Sequence, residues 1–299
     1  MVKDAKGNEV EGLDQGPFEP IAVIGVSALM PDAPDIDTFW QNILDSKVSI
    51  RQIPEHRWIG PVDHFLRDGG PGDIEEGYTY ARIGAVVEGY EFDWRRWKQP
   101  PGTLAQIDLA QQWAVSVAAS AIEHAGYDGE TKDIDRLRTG VAFANALGGE
   151  NRNLTNIRIY SNHTKEIAQS FGMPEENAQK FIDSINTGAP RVNEDTMPGE
   201  LANVVAGRVS NLLDLQGPNF AMDAACASSL ATLMDACRLL QMRQVDVMIA
   251  GATDRSMDAP TFAKFSAIGA LSPTHSTPFD AGANGFVMGE GAGAFVLKR

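Results

Sequence analysis

A cysteine, Cys226, lies where an extended segment of the chain gives way to a helical one. Phe220 and Met222 alternate with small or polar residues, as in a half-buried strand. From Leu230 onward, apolar residues recur at helical spacing as far as Cys237. The pattern therefore predicts a strand-to-helix elbow with the thiol of Cys226 at the N-terminus of the helix.

A thiol at such an elbow has a defined chemistry. Unpaired backbone N–H groups and the positive end of the helix dipole favour thiolate over thiol. The same N–H groups can stabilise negative charge on a carbonyl oxygen, so the elbow joins a nucleophile to part of an oxyanion hole. The alternative is that Cys226 is a small core residue, because unpaired cysteines are among the most buried residue types. Ser228 and Ser229 are expected to cap the helix.

Strands that alternate with helices must position this elbow. Short apolar runs predict strands at 21–28, 141–147, 245–250 and 293–297. Helical spacing predicts one helix that begins near Asp35 and another that covers 107–125. It also predicts two helices within 151–186 and one from Pro198 to about Leu213. The alternation implies an α/β fold with a mostly parallel sheet covered by helices on both faces.

Two regions depart from this alternation. Residues 51–99 are rich in Gly, Pro, aromatic residues and mixed charge, which predicts an irregular insertion over a sheet edge. We expect Trp58, Trp94 and Trp97 to hold it in place. Residues 1–18 are polar and lack the apolar stretch of a signal peptide or membrane span, so we interpret them as a tail or linker to the domain at 19–299.

Composition narrows the function classes. The 299 residues, 43% of them hydrophobic, suffice for one large core, and we favour a single domain. A net charge of −15 argues against a nucleic acid or an anionic membrane as partner. Cys226 and Cys237 lie roughly three helical turns apart, out of disulfide reach, which fits a reducing cytoplasm. We find no metal-ligand spacing, and the glycines of 285–293 lack the Lys of a phosphate loop.

Several sequence stretches resemble one family in order along the chain. They are Glu19–Gly25, Phe39–Trp40, Gly217–Leu230, Pro278–Asp280 and Asn284–Gly293. Through them the chain resembles the β-ketoacyl synthases, the condensing enzymes of fatty-acid, polyketide and polyunsaturated fatty-acid synthesis. Residues 194–203 are more similar to the ketosynthases of polyunsaturated fatty-acid and glycolipid-type synthases than to those of modular polyketide lines.

The resemblance implies a thiolase-like fold, of which this chain is the first, N-terminal half, with a five-stranded mixed sheet and the strand 219–223 at a homodimer interface. It implies that Cys226 is the acyl acceptor. Leu147 matches a residue that lines the acyl tunnel, and Phe286 matches one between the acyl and malonyl approaches; core packing remains the alternative for both. The implied partners are acyl carrier protein and malonyl carrier protein, whose phosphopantetheine arrives with the substrate, so no resident cofactor is expected.

Condensation in this family also needs histidines and a lysine from motifs of the HGTGT and NxGH kind, which this sequence lacks. The chain has five histidines, and none matches such a motif: His56, His64, His124, His163 and His275. We therefore expect acylation of Cys226 without condensation unless a C-terminal half is supplied. Two alternatives are a thiolase-like acyltransferase acting on coenzyme A and a non-catalytic chain-length or interaction half.

Overall fold

A computed structural model describes residues 19–129 and 132–299 of the chain. The predicted tail at 1–18 lies outside the described residues. In chain order the strands and helices are β1 (Ala22–Leu29), α1 (Ile36–Leu44), β2 (Arg51–Gln52), β3 (Ile83–Ala85), α2 (Pro101–Leu104), α3 (Leu109–His124), β4 (Thr139–Ala144), α4 (Asn151–Ser170), α5 (Glu175–Ile185), α6 (Thr196–Glu200), α7 (Val204–Leu212), β5 (Asn219–Met222), α8 (Ser228–Gln241), β6 (Val247–Asp254), α9 (Ala259–Ala267), β7 (Met288–Gly289) and β8 (Gly291–Lys298).

The main sheet has five strands in the order β1-β8-β6-β4-β5. Strands β4, β5 and β6 are parallel, whereas β8 is antiparallel to both β6 and β1. Four strands therefore point the same way and β8 points the opposite way, which confirms the predicted mixed sheet. Because β4, β5 and β6 are parallel, the segments that follow them meet at one edge of the sheet.

Helices cover the two faces of this sheet unequally. Helices α3 and α7 pack on one face, around the fully buried side chains of Trp113 and Phe143. On the other face α8 packs against β4, β5 and β6. Its own residues Ala236 and Leu240 are buried in this contact. Helix α1 contacts β1 but has no buried residue, and Trp40 is 59% exposed. A strip of sheet between α1 and α8 therefore stays open.

The insertion at 51–99 is more ordered than its composition predicts. Strand β3 pairs with β2 on one side and with β7 on the other, which forms a three-stranded sheet beside a second apolar core. Trp58 lies in that core and donates its indole N–H to the carbonyl of Met257 at 2.8 Å. Trp94 and Trp97 pack, half-buried, against the main core, so all three tryptophans hold the insertion as predicted.

The predicted helix from Pro198 to Leu213 is wrong, because α6 and α7 are separate helices. The backbone of Leu201 is extended, with φ −82° and ψ 127°, which ends α6. The side-chain amide of Gln111 donates to the carbonyls of Pro198 and Leu201. A Cβ on Gly199 would lie 2.0 Å from the carbonyl oxygen of Gln106, so the chain passes too close to its neighbour for any other residue. These tertiary contacts override the local helical pattern.

The other predicted elements are present with shifted ends. Strand β4 ends at Ala144 instead of Leu147, because the Asn145 side chain accepts the N–H of Gly148 and forms a turn. Strand β6 continues to Asp254, four residues beyond its predicted end. Helix α9 and the small sheet were not predicted. Among the described residues, no helix combines the length and apolar character needed to cross a bilayer.

Candidate active site

The elbow predicted at Cys226 is present and is held by its own side chains. After β5 the carboxylate of Asp223 accepts the N–H of Ala225 at 2.9 Å. Ser228 Oγ accepts the N–H of Ala224 at 2.8 Å and donates to the carbonyl of Ala225 at 2.5 Å. These bonds hold Ala225 at φ +50°, a left-handed conformation that costs a non-glycine residue roughly 1–2 kcal/mol.

The serines do not cap α8 as predicted. Ala227 occupies the N-cap position and makes no side-chain capping bond, since the hydroxyl of Ser228 is used within the turn. Within the described residues, the first N–H groups of α8 therefore have no capping side chain. Backbone N–H groups in this position attract negative charge.

The two thiols lie in different surroundings. Cys226 is exposed at the N-terminus of α8, whereas Cys237 is half-buried within that helix. Burial raises the pKa of Cys237, so its thiol is less readily ionised. Only Cys226 combines access to solvent with the positive end of the α8 dipole.

Cys226 opens onto a groove of about 680 Å³. The groove lies over the strip of sheet between α1 and α8, and its walls are mostly small or apolar. Residues on its walls include Val26, Phe39, Leu230, Leu233, Ala250, Ala252, Ala294 and Phe295. A volume of this size suits a drug-sized ligand that is mainly apolar.

The structure does not bring the other two predicted site residues onto this groove. Leu147 is 53% exposed in the loop after β4, although its neighbours Asn145 and Ala146 do line the groove. Phe286 is 44% exposed, and its ring packs edge-on against Phe265 with 5.3 Å between centroids. Neither is a core residue, and neither lines the groove within the described chain.

A buried charge cluster lies at the same sheet edge and was not predicted. Arg57 Nη2 is 2.7 Å from the carboxylate of Glu290 and 3.3 Å from that of Glu150. Arg255, just after β6, is 2.7 Å from the other oxygen of Glu150. The cluster therefore joins the insertion to the loop after β4, the end of β6 and the turn before β8. Glu290 also lines the groove.

Carboxylates outnumber guanidinium groups in this cluster, because Asp108 and Asp258 are buried near Glu150 as well. Burial raises the pKa of Glu150 to about 7, and the opposing effects of Arg255 and Arg57 do not cancel it. Burial also raises the pKa of Glu290. The excess of negative charge agrees with a proton held in the cluster near neutral pH.

Asp254 is a further titratable group on the groove wall. It ends β6, where it pairs in register with Gly291 of β8. Burial raises the pKa of Asp254, against the opposing effect of the Ser256 hydroxyl. The sequence did carry a signal for this residue, because polar side chains at the carboxyl ends of parallel strands often meet at a site.

The five histidines lie away from the groove. The ring of His124 accepts the N–H of Val26 at 3.4 Å, and His275 bonds to Thr274. His56 and His163 face Glu88 and Glu166 on the surface. Within 19–129 and 132–299, no group of three His, Cys, Asp or Glu residues is arranged to hold a metal ion.

A family model of the N-terminal domain of β-ketoacyl synthases matches residues 18–299. The chain belongs to this family. This ketosynthase chain is 30% identical over 284 residues to a phenolphthiocerol/phthiocerol polyketide synthase of Mycobacterium tuberculosis, covering 94% of the chain and 16% of that protein. A second phenolphthiocerol/phthiocerol polyketide synthase polypeptide of the same organism is 32% identical over 285 residues, with 94% and 14% covered. The ketosynthase chain thus spans about one sixth of these curated relatives or less.

Solved structures agree on the thiolase-like ketosynthase fold. The oxazolomycin ketosynthase domain OzmH KS7 of Streptomyces albus has a TM-score of 0.73 at 26% identity, covering 94% of this chain and 44% of that one. The PfaC ketosynthase–chain length factor has a TM-score of 0.76 at 24% identity, with 93% and 29% covered, and supports the fold alone.

Proposed function

We propose that this chain supplies the nucleophile of a ketosynthase and that Cys226 accepts the acyl group. The supporting observation is the exposed thiol at the N-terminus of α8, facing an apolar groove of about 680 Å³, in a chain of this family. The thiolate attacks the carbonyl carbon of an acyl thioester, and the bond between that carbon and the sulfur of the carrier breaks. The carrier leaves as a thiolate and takes up the proton that the Cys226 thiol lost. Backbone N–H groups at the start of α8, which has no side-chain cap, stabilise the oxyanion.

Condensation follows on the acylated cysteine. The malonyl carboxylate leaves as carbon dioxide, and its bonding electrons stay on the malonyl α-carbon. That carbon attacks the acyl carbonyl, the new carbon–carbon bond forms, and Cys226 leaves as thiolate. None of the five histidines lies on the groove wall, so we propose that a His-bearing C-terminal half supplies the groups that assist this step.

The proposal includes the partners of the reaction. The acyl and malonyl groups arrive as thioesters on carrier proteins, and their phosphopantetheine is part of the substrate. Because the chain has a net charge of −15, an acidic carrier needs a local Lys and Arg patch, and salt should weaken its docking. We further propose a homodimer in a reducing cytoplasm, where Cys226 stays a free thiol.

The test is reconstitution with a ketosynthase C-terminal half. We expect the chain alone to form at most an acyl-enzyme, and the chain with a ketosynthase C-terminal half, fused or separate, to release carbon dioxide from malonyl carrier protein and form a β-ketoacyl product. Cys226→Ala in the completed protein is the control and should abolish both steps. Condensation by the chain alone would show that the catalytic base lies within it. Acyl transfer from coenzyme A without decarboxylation would favour the thiolase-like alternative.

A further inference from the structure

Ser228 is a buried residue in the elbow at Cys226, whereas residues 223–227 are exposed. Its hydroxyl oxygen accepts the N–H of Ala224 at 2.8 Å and donates to the carbonyl of Ala225 at 2.5 Å. The same carbonyl also accepts the backbone N–H of Ser228. One side chain therefore fixes backbone groups of both residues that precede the cysteine.

The hydroxyl of Ser228 helps to hold Ala225 in a conformation that alanine normally avoids. With φ +50°, Ala225 is left-handed, which glycine tolerates freely and alanine does not. The cost of a left-handed alanine and the net contribution of two hydrogen bonds are similar in size. Loss of the hydroxyl therefore lets Ala225 relax toward an ordinary conformation. Because residues 223–227 are exposed, water can satisfy the backbone groups that are released, and we expect the fold to persist.

The conformation of Ala225 determines where the N–H of Cys226 points. A trans peptide is planar, and its C=O and N–H groups point in opposite directions. Because the carbonyl of Ala225 is bonded to Ser228, the N–H of Cys226 points away from Ser228. An N–H that is fixed in this way, beside the thiol of the same residue, can donate to a carbonyl oxygen that becomes negative during acyl transfer.

We propose that Ser228 is a positioning residue, which acts through Ala225 to hold the N–H and the thiol of Cys226 in their reactive arrangement. Because its hydroxyl is used within the turn, Ser228 acts on the substrate only through the cysteine. The inference rests on the proposed function for the part that the N–H plays in acyl transfer. The reactivity of the thiol, in contrast, can be measured without an acyl group.

The experiment compares two reactions of Cys226 in the 299-residue chain, each followed by mass spectrometry of the modified peptide. Alkylation by iodoacetamide needs the thiolate but no oxyanion donor, because no carbonyl oxygen becomes negative. Acylation by the N-acetylcysteamine thioester of decanoic acid needs both. We expect Ser228→Ala to slow alkylation roughly fivefold, because the thiol moves away from the helix N-terminus. It should slow acylation by about a further tenfold or more, because an oxyanion donor is lost as well.

Further substitutions test whether the effect passes through Ala225. Glycine adopts the left-handed conformation without steric cost, so Ala225→Gly should restore both rates in the Ser228→Ala background to within about threefold of wild type. Ser228→Thr keeps a hydroxyl and should retain most of both rates. Should Ser228→Ala fail to fold, Ala225→Val keeps Ser228 but disfavours the left-handed conformation, so it should slow both reactions in the same way.

Thr232→Val is the matched control, because Thr232 is also buried and lies about one turn further along α8. In the part of the chain that the structure describes, its hydroxyl has no hydrogen-bond partner. Valine has nearly the same shape, so the substitution removes a buried hydroxyl from the same helix without breaking a bond. Both rates should equal those of the wild type.

The outcomes distinguish this inference from the function on which it rests. Wild-type rates in Ser228→Ala, a loss that Ala225→Gly does not rescue, or the same loss in Thr232→Val would each overturn the role of Ser228. Equal slowing of the two reactions would also overturn it, because the N–H would then play no part. A wild-type chain that is alkylated at Cys226 but never acylated would contradict the proposed function instead. The alkylation rates and their rescue would still decide whether Ser228 positions the thiol.

Discussion

At Cys226, two features that favour a reactive thiol coincide: it is exposed, and it lies at the start of α8. Cys237 has neither, and burial raises its pKa. We predict that an acyl thioester or a cysteine-directed condensing-enzyme inhibitor modifies Cys226 and leaves Cys237 unmodified. Peptide mass spectrometry of the treated chain locates the adduct.

Two single substitutions provide the controls for this labelling. Cys237→Ala should leave the extent of modification unchanged, whereas Cys226→Ala should abolish it. A label that persists in Cys226→Ala and disappears in Cys237→Ala would reverse the assignment.

Glu150 makes the stability of the chain depend on pH. Its pKa rises from an ordinary 4.5 to about 7 on folding, so the folded chain binds the proton more tightly than the unfolded chain. The contribution of Glu150 to stability is therefore greatest below pH 4.5 and is lost as the pH rises to about 7. Glu150→Gln mimics the protonated form. We expect the unfolding free energy of this variant, relative to wild type, to increase by roughly 1–3 kcal/mol over that range.

Denaturant unfolding at a series of pH values measures this difference. Glu166→Gln is the matched control, because its side chain is 79% exposed on the surface of α4. Its curve should follow that of the wild type. Parallel curves for Glu150→Gln and wild type would mean that folding leaves the pKa of Glu150 at its ordinary value and that its ion pairs offset burial.

At the scale of elements, the insertion depends on Trp58. The ring lies edge-on to Phe262 at 5.2 Å between centroids, and its N–H bonds to Met257. We predict that Trp58→Ala lowers the free energy of unfolding by about 3–5 kcal/mol, because it removes a large buried side chain from the second core. Trp58→Phe, which loses chiefly the hydrogen bond, should cost about 1 kcal/mol.

Trp40→Ala is the control for Trp58→Ala, because it removes the same side chain from an exposed position. Its side chain is 59% exposed on α1, so truncation should change stability by less than about 0.5 kcal/mol. Equal losses for Trp40→Ala and Trp58→Ala, measured by denaturant unfolding, would contradict a separate core in the insertion.

The strands of the main sheet and the long helix α3 could be predicted from sequence because their signals are local. Short apolar runs mark β1 and β6, and Gly126 at φ +79° follows the end of α3. The break between α6 and α7 could not be predicted, because it depends on contacts with Gln106 and Gln111, far away in the chain. The two-residue strands β2 and β7 leave no periodic pattern to detect.

The same distinction applies to the site. Cys226 was predictable because strand, cysteine and helix follow one another along the chain. The ion pairs of Glu150 were not, because Arg57 and Arg255 are many residues away from it in the chain and meet it only in the folded structure. Leu147 and Phe286 were assigned by resemblance, and their roles stay predictions, since within the described residues neither lines the groove.

For the whole molecule, the free edge of the main sheet determines how copies of the chain can associate. In the part of the chain that the structure describes, strand β5 pairs only with β4, and its residues are exposed or half-buried. The carbonyls of Pro218 and Met222 accept N–H groups of Val141 and Asn145, in and just after β4, at 3.0 and 3.2 Å. Because neighbouring residues alternate in direction, the N–H of Ala221 faces the free edge. Two such edges related by a two-fold axis pair as antiparallel strands.

We therefore predict that the chain forms a dimer through β5 and that Ala221→Pro weakens it at least tenfold, about 1.4 kcal/mol. Proline removes the outward N–H without disturbing the bonds to β4, since it is tolerated on the free side of an edge strand. Ala221→Val keeps the N–H and should sediment as the wild type does across a dilution series. A wild-type chain that stays monomeric at high concentration would exclude pairing through β5, and a dimer that Ala221→Pro leaves unchanged would place the interface on another surface.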